Sequence, residues 1–240
     1  MKLTIPSRLA WLLWIAALVL YVADWLYPMS DGITRSLGIL LLAVVWLGLA
    51  ALMRKRRVAL GAWACITLFI AAFMALPGRS ALNTDAMRAS DTAALRRYTG
   101  ASYVWGGESP KGIDCSGLIR RGMVDGIFLR GVRTLDPGLV RWSIRLWWHD
   151  CTARDLGNGD GGMTSHLFDT PSINALDSSK LLPGDIAVTA SGIHVMAYLG
   201  GDEWIEADPG PGRVITVTTP AEKNEWFRGP MKIMRWNIFQ

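Results

Sequence analysis

Three long apolar stretches, separated by short polar segments, occupy the beginning of the chain. They run from Leu9 to Tyr27, from Leu37 to Met53 and from Val58 to Leu76. At about 1.5 Å per residue, each is close to the length that crosses the roughly 30 Å hydrocarbon core of a bilayer. A secretory signal peptide is the alternative for the first stretch, but this stretch is long, lacks a clear small-residue cleavage site and is followed by two more. We therefore expect a membrane domain with three transmembrane helices (about 9–27, 37–53 and 58–76) in residues 1–78.

Beyond this membrane domain, the pattern becomes that of a folded domain with helices and strands. Residues 79–90 are polar and small, which predicts a linker, and the folded domain is expected in residues 91–240. Apolar residues recur at helical spacing between Leu118 and Ile127, which predicts a helix that begins near Cys115. Later, short apolar runs separated by turns predict strands at 186–188, 194–199, 204–207, 213–218 and 231–236.

The distribution of charge changes at the same place. Residues 1–80 carry eight Lys and Arg against two acidic residues, whereas residues 81–240 carry 17 against 18. The basic pI therefore belongs to the membrane part and gives no support for a nucleic-acid partner. Basic short loops stay in the cytoplasm, so the turn Arg54–Arg57 places the start of the third helix on the cytoplasmic side. The first helix must then also run outward, which places the basic residues Lys2 and Arg8 on the cytoplasmic side as well. We expect a multi-pass membrane protein with its N-terminus inside and the folded domain outside.

One cysteine lies in a context that favours chemistry. Cys115 stands between Asp114 and Ser116, after a loop that contains Gly106 and Gly107, and at the predicted start of a helix. Asp114 or Ser116 can cap that helix. The free amides and the positive end of the helix dipole favour a thiolate, and the same amides can stabilise an oxyanion. The alternative is that Cys115 is a buried structural cysteine, but this does not explain why a glycine-rich loop precedes it.

A catalytic thiolate needs a base, and His194, at the start of a predicted strand, is the candidate. We expect no structural disulfide, since a bond between Cys115 and Cys151 would disable the nucleophile. The run His149–Asp150–Cys151 suggests a metal site, but no partner spacing accompanies it. We therefore expect neither a metal nor a cofactor.

A histidine at the head of a strand, facing a cysteine at the head of a helix, is the arrangement of papain-like cysteine peptidases. Over roughly residues 90–236, the sequence resembles the NlpC family of these peptidases. The resemblance implies an α+β, papain-like domain, in which a cysteine at a helix N-terminus packs on an antiparallel sheet, and this domain follows the three transmembrane helices predicted above. Because the family usually has fewer residues between the cysteine and the histidine, an insertion is expected at about 136–176. The matching residues are Tyr103, Gly106, Gly107, Asp114, Cys115, Ser116, Gly117, Leu182, Pro183, Gly184, Asp185, His194, Val195, Tyr198, Leu199 and Gly200.

The resemblance also implies roles for individual residues. Cys115 and His194 become the catalytic pair, and the oxyanion and substrate-binding region is formed by Tyr103, Asp114 and Ser116. In the family, a polar residue on the next strand orients the histidine. Counting twelve positions from His194 gives Glu206, and Asp208 is the nearby alternative. A carboxylate in this place favours the imidazolium more strongly than a neutral partner does.

The function implied by the resemblance is hydrolysis of an amide bond in peptidoglycan stem peptides, through a thioester. The bond most often cut in the family joins γ-D-glutamate to a diamino acid. The stem peptide and the lipid bilayer are then the partners, at the bacterial cytoplasmic membrane, and Arg120 and Arg121 are candidates to meet the carboxylates of the peptide. Two alternatives stay open: a Cys/His amidase or acyltransferase that acts on a lipid-linked or other amide, and a non-catalytic membrane protein that binds the wall.

Overall fold

The computed structural model describes residues 7–79 and 82–240. Three long helices come first, α1 (Ser7–Leu26), α2 (Gly32–Met53) and α3 (Arg57–Ala75). Their most apolar windows have mean hydropathies of 2.0, 2.5 and 2.2, and none of the residues in these windows is buried inside the protein. By length and composition, all three can cross a membrane. Lys2, which entered the prediction of orientation, lies outside the described residues.

The second helix begins at Gly32, before the apolar stretch that predicted it. Asp31 caps this helix, because its Oδ1 accepts hydrogen bonds from the amides of Ile33 (3.0 Å) and Thr34 (2.8 Å). The beginning of the helix contains the polar residues Thr34, Arg35 and Ser36, so the apolar pattern of the sequence did not include it in the predicted helix.

The remainder of the chain forms an α+β domain around a six-stranded sheet. Every neighbouring pair of strands in this sheet is antiparallel, and the strand order is β3-β8-β4-β5-β6-β7. The α+β fold expected from the sequence, with a cysteine-bearing helix on an antiparallel sheet, is confirmed. The elements are α4 (Thr84–Arg96), β1 (Glu108–Ser109), β2 (Gly112–Ile113), α5 (Cys115–Arg133), α6 (Pro137–Trp148), α7 (Ala153–Gly157), β3 (Thr164–Thr170), β4 (Ile186–Thr189), β5 (Val195–Gly200), β6 (Glu203–Asp208), β7 (Arg213–Thr218) and β8 (Met231–Trp236).

The sheet is covered on both faces, and β5 shows how its side chains divide between them. Val195, Ala197 and Leu199 join the larger core, which the helices share, while Met196 and Tyr198 join a smaller core on the other face. This alternation follows from the two-residue period of a strand. Because both faces of β5 are buried, the strand is fixed in place, and so is the histidine that immediately precedes it.

Helix α4 begins at Thr84, inside the stretch that the sequence predicted as a linker. Asn83 caps it by accepting a hydrogen bond from the amide of Ala86 at 2.9 Å. The helix lies very close to α5, since a Cβ at Gly126 would stand 2.7 Å from the carbonyl oxygen of Ser90. Small polar residues in this stretch therefore belong to a packed helix. Residues 80 and 81 of the predicted linker lie outside the described residues.

The predicted insertion at 136–176 contributes directly to the domain. It contains α6, whose start is capped by Asp136, and β3, an edge strand that pairs with β8 from Thr164 opposite Trp236 to Thr170 opposite Met231. The sequence did not predict β3, because its buried and exposed positions do not alternate regularly and a register shift interrupts the pairing.

The domain contacts the membrane helices at two places on one end of the bundle. In the α1–α2 loop, the carbonyl of Pro28 accepts the amide of Glu108 at 2.9 Å, and the amide of Ser30 donates to the carbonyl of Gly106 at 3.3 Å. At the end of α3, the guanidinium of Arg141 donates to the carbonyl of Leu76 at 2.7 Å. The loop before the predicted nucleophile is therefore bonded to the ends of the apolar helices.

Candidate active site

The start of α5 is held to the glycine-rich loop by Asp114. Its Oδ1 accepts hydrogen bonds from the amide of Gly117 at 2.6 Å and from the hydroxyl of Ser116 at 3.0 Å. Its Oδ2 accepts the amide of Gly106 at 2.8 Å. The prediction that Asp114 or Ser116 caps the helix is confirmed for Asp114. Asp114 and Ser116 thus fix the position of Cys115 relative to the loop.

The sulfur of Cys115 lies against the start of β5. Its Sγ is 4.0 Å from the carbonyl oxygen of Ile193, and the amide of Val195 donates a hydrogen bond to it. These two residues flank His194, so the chain brings the cysteine and the histidine to the same place. The thiol is 6% exposed.

The environment of Cys115 corrects one expectation drawn from the sequence. Burial raises the pKa of the thiol to about 12, and the nearby carboxylate of Asp114 adds to this effect. The amides of Val195, Ser116 and Cys115 itself lower the pKa, as expected at a helix start, but they do not outweigh burial. The helix terminus alone does not produce a thiolate here, and ionisation requires a group that takes the proton.

His194 and Glu206 form a buried pair. The Nε2 atom of His194 lies 2.7 Å from Oε2 of Glu206, and the two residues are 1% and 0% exposed. The other carboxylate oxygen, Oε1, accepts a hydrogen bond from Nδ2 of Asn224 at 2.5 Å. Both carboxylate oxygens of Glu206 therefore have hydrogen-bond partners. Because Nε2 of His194 is bonded to Glu206, Nδ1 is the ring nitrogen that does not take part in this contact.

Asp208 has other partners. Its Oδ1 accepts the amide of Gly210 at 2.9 Å and the indole Nε1–H of Trp226 at 3.2 Å. That indole stacks on the ring of His194, with centroids 4.2 Å apart and planes inclined by 17°. Of the two acids considered from the sequence, the structure brings Glu206 to the histidine and uses Asp208 to hold the indole.

Sequence reasoning missed Asn224 and Trp226. They lie on a short 3₁₀ turn (Glu225–Arg228) that Asn224 caps, far along the chain from the cysteine and the histidine. An asparagine before such a turn is a common cap and carries no signal of a site. Only the folded chain shows that this turn covers the pair formed by His194 and Glu206.

Tyr103 and the backbone carbonyl of Ile193 lie near the cysteine. Burial raises the pKa of the Tyr103 phenol to about 12, and the nearby groups Cys115 and Asp114 add to this effect, so the hydroxyl keeps its proton at neutral pH and can donate a hydrogen bond. Trp105 and Ile193 are 77% and 59% exposed. Because the Ile193 carbonyl lies 4.0 Å from Sγ, its exposed side chain adds apolar surface near the sulfur.

Arg120 is not available to a substrate, contrary to the expectation. It is buried, forms an ion pair with Glu108, and donates to the carbonyl of Leu146 at 3.0 Å. Arg35 of α2 reaches the same carboxylate at 3.1 Å. Glu108 therefore joins α2 to α5 next to the glycine-rich loop, and among the described residues no three potential ligands come together to hold a metal.

Comparisons with known proteins find a family match over the part of the chain that contains Cys115. Residues 100–134 match the model of the NlpC/P60 family. Similar solved structures include the P60 domain of an antigen from M. avium subspecies paratuberculosis, with 18% identity over 64% of this chain and 97% of that one and a TM-score of 0.39. The peptidoglycan hydrolase RipB from Mycobacterium tuberculosis is 19% identical over 65% of this chain and 72% of that one, with a TM-score of 0.39.

NlpC1 from Trichomonas vaginalis is 19% identical over 66% of this chain, with a TM-score of 0.39. The chain spans about half the length of the two structures from that organism, with 46% of NlpC1 and 49% of NlpC2 covered. No curated protein is similar enough to count as a relative. The resemblance seen in the sequence is confirmed for residues 100–134, which contain Tyr103, Asp114, Cys115 and Ser116.

Proposed function

We propose that this chain, whose residues 100–134 match the NlpC/P60 family, is a membrane-anchored cysteine peptidase of the bacterial cell wall. The observation that supports this most is the arrangement at the start of β5. Cys115 lies between the backbone atoms that flank His194, and His194 is hydrogen-bonded to a fully buried carboxylate at 2.7 Å. A nucleophile, a base and a group that orients the base are the parts that acyl transfer requires.

The mechanism begins with transfer of the thiol proton. Because burial raises the pKa of Cys115, the sulfur attacks the amide carbonyl as Nδ1 of His194 takes its proton, and Glu206 stabilises the resulting imidazolium. The backbone amide of Cys115 and the hydroxyl of Tyr103 donate to the oxyanion. The C–N bond then breaks, His194 gives its proton to the leaving amine, and a thioester remains on Cys115. Water, deprotonated by His194, hydrolyses the thioester and restores the thiol.

The proposed substrate is the stem peptide of peptidoglycan, and the proposed bond joins γ-D-glutamate to a diamino acid. This assignment comes from the NlpC resemblance. Ile193, whose carbonyl lies 4.0 Å from Sγ, provides exposed apolar surface near the sulfur, and Trp105 is exposed in the loop before Cys115. Arg121 is half-buried and paired with Asp125 at 2.9 Å, so a carboxylate of the peptide has to compete with that pair. Arg120 takes no part.

The proposed location is the cytoplasmic membrane, with residues 1–78 as the anchor and the catalytic domain outside. The α1–α2 loop and the end of α3 both contact the domain, and the basic turn Arg54–Arg57 connects the opposite ends of α2 and α3. If that turn is cytoplasmic, the domain faces the wall.

A second candidate function is supported by the contact between the active-site loop and the membrane helices. The strand-like bridge between Met29 and Gly107 brings the loop before Cys115 to the end of the apolar helices. A Cys/His amidase or acyltransferase with a lipid-linked amide as substrate requires this kind of proximity. The chemistry of the sulfur and the histidine is the same, and only the substrate differs.

The experiment that tests the proposal uses the full chain in lipid nanodiscs. Defined muropeptides and lipid amides are incubated separately, and the products are identified by mass. Cleavage of a muropeptide by the wild type and by Cys65→Ala, but not by Cys115→Ala, is the expected result. Turnover of lipid amides alone supports the second candidate, and binding of wall fragments without turnover of either substrate contradicts both.

A further inference from the structure

A cavity of about 360 Å³ lies between the membrane helices and the domain, away from the catalytic residues. Its walls are the ends of α1 and α2 that meet the domain, the loop between them, and the β1–β2 hairpin with the start of α5. Neither Cys115, His194 nor Glu206 lines it. The volume lies in the range of pockets that hold small ligands.

One part of the cavity is apolar and belongs to the membrane helices. Trp25 of α1 and Ile39 and Leu42 of α2 line it, and all three side chains are exposed. Leu42 lies ten residues after the start of α2, which is about 15 Å along the helix axis. In a bilayer, this depth reaches hydrocarbon, so an acyl chain is the group that fills this part of the cavity.

The other part is polar and belongs mainly to the domain. Lys111 lines it with an exposed side chain that makes no ion pair or side-chain hydrogen bond within the described part of the chain. Arg121 lies in the same wall, and Arg35 lines the cavity while it pairs with Glu108. A cation without a partner at the level of the lipid headgroups attracts phosphate.

An acidic group completes the polar part. Asp24 of α1 lines the cavity, and its carboxylate lies over Gly38 of α2, where a Cβ would stand 2.7 Å from Oδ2. A carboxylate accepts hydrogen bonds from a hydroxyl or an ammonium group. Phospholipid headgroups offer such donors next to the phosphate.

We propose that this cavity binds a phospholipid, a function separate from the peptidase site. Lys111 binds the phosphate, Asp24 accepts a hydrogen bond from the headgroup, and one acyl chain lies along Ile39 and Leu42. The inference requires that α1 and α2 cross the membrane, but it does not depend on catalysis. The glycine-rich loop and the lipid site share Glu108, so a bound lipid rests against the base of the active-site loop.

The test uses full-length protein extracted from membranes in mild detergent and examined by native mass spectrometry. We expect the wild type to retain one phospholipid. Lys111→Glu removes the phosphate contact and Ile39→Trp fills the apolar part, so each should reduce retention about tenfold or more. The matched controls are Lys180→Glu, an exposed lysine outside the cavity, and Leu40→Trp, the neighbour of Ile39 that does not line it.

Equal retention by Lys111→Glu, Ile39→Trp and both controls overturns the proposal, as does a retained lipid without phosphate. If Lys111→Glu lowers the yield of folded protein, Lys111→Gln gives the same comparison without a charge reversal. To identify which phosphate-bearing lipid binds, phosphatidylglycerol, phosphatidylethanolamine or a polyprenyl diphosphate is added to the delipidated protein and its binding is measured. Tight binding of any of them that Lys111→Gln weakens supports the site, and binding of none contradicts it.

Discussion

Replacing Glu206 by glutamine tests how much the buried carboxylate contributes to catalysis. The substitution keeps the size of the side chain and a hydrogen-bonding oxygen, but removes the negative charge beside His194. Glu206 is 0% exposed and its Oε2 lies 2.7 Å from Nε2, so no water screens this charge. The imidazolium formed when Cys115 loses its proton therefore loses its counter-charge.

The magnitude follows from the geometry of that contact. A hydrogen bond to a charged group stabilises by about 1.5–3 kcal/mol, and a neutral one by about half as much or less. The difference is about 0.8–2 kcal/mol, and because about 1.4 kcal/mol corresponds to a factor of ten, kcat/KM is expected to fall about four- to thirtyfold. Without the carboxylate, the imidazolium also releases its proton more easily, so the alkaline limb of the pH profile should move to lower pH.

The assay is the pH dependence of kcat/KM on a defined muropeptide, for the wild type, Glu206→Gln and Asp208→Asn. Asp208 serves as the matched control, since it lies on the same strand face but accepts its hydrogen bonds from the Gly210 amide and the Trp226 indole. Asp208→Asn should have a much smaller effect. If Asp208→Asn is the damaging change and Glu206→Gln is silent, the assignment of the orienting acid is refuted.

Three further predictions concern positioning, pH and topology. Asn224→Ala should lower kcat about tenfold with little change in KM, because its amide holds Glu206 and not the substrate; a change confined to KM contradicts this. Burial raises the pKa of Asp91 to about 8, so the free energy of unfolding should fall as pH rises from about 4 to 8, and Asp91→Asn should flatten that profile in thermal unfolding. In intact cells, an impermeant thiol reagent should label Asn158→Cys but not Arg56→Cys, and the reverse pattern would put the domain in the cytoplasm.

The two residues of the proposed catalytic pair could be picked out because they lie in local patterns. A glycine-rich loop, an Asp-Cys-Ser-Gly run and a helical repeat after it define the position of Cys115 without reference to the fold. His194 follows a turn and opens a strand that is apolar on both faces. The family resemblance, through a count of twelve positions from His194, led to Glu206, with Asp208 as the nearby alternative on the same face of β6.

The choice between those acids depends on residues that no local pattern connects. Asn224 and Trp226 come from a separate turn, and their contacts decide that Glu206 meets the histidine while Asp208 holds the indole. The burial of Cys115 has the same origin, because strand β5 and helix α5 close over the sulfur. Propensity and spacing describe a helix terminus, but the free energy of a charge there depends on tertiary packing.

The expected role of Arg120 failed for a similar reason. An arginine on the first turns of an exposed helix is usually solvated, but Glu108 and α6 cover this one. The covering residues lie before and after Arg120 in the chain, and Arg35 comes from a membrane helix. Since the sequence gives no sign that α2 reaches the domain, neither this ion-pair group nor the cavity next to it was predictable.

The central claim is that Cys115 carries an acyl group during turnover, and a quenched reaction tests it most directly. The wild-type full chain is mixed with a muropeptide, stopped with acid at short times and digested, and the peptide that contains Cys115 is examined by mass. The account predicts an adduct with the mass of the acyl part of the substrate, on Cys115 and removable by hydroxylamine, which is absent from His194→Ala because no base then takes the thiol proton. Turnover of the muropeptide by Cys115→Ala, or an acyl adduct located on Cys151, would contradict it.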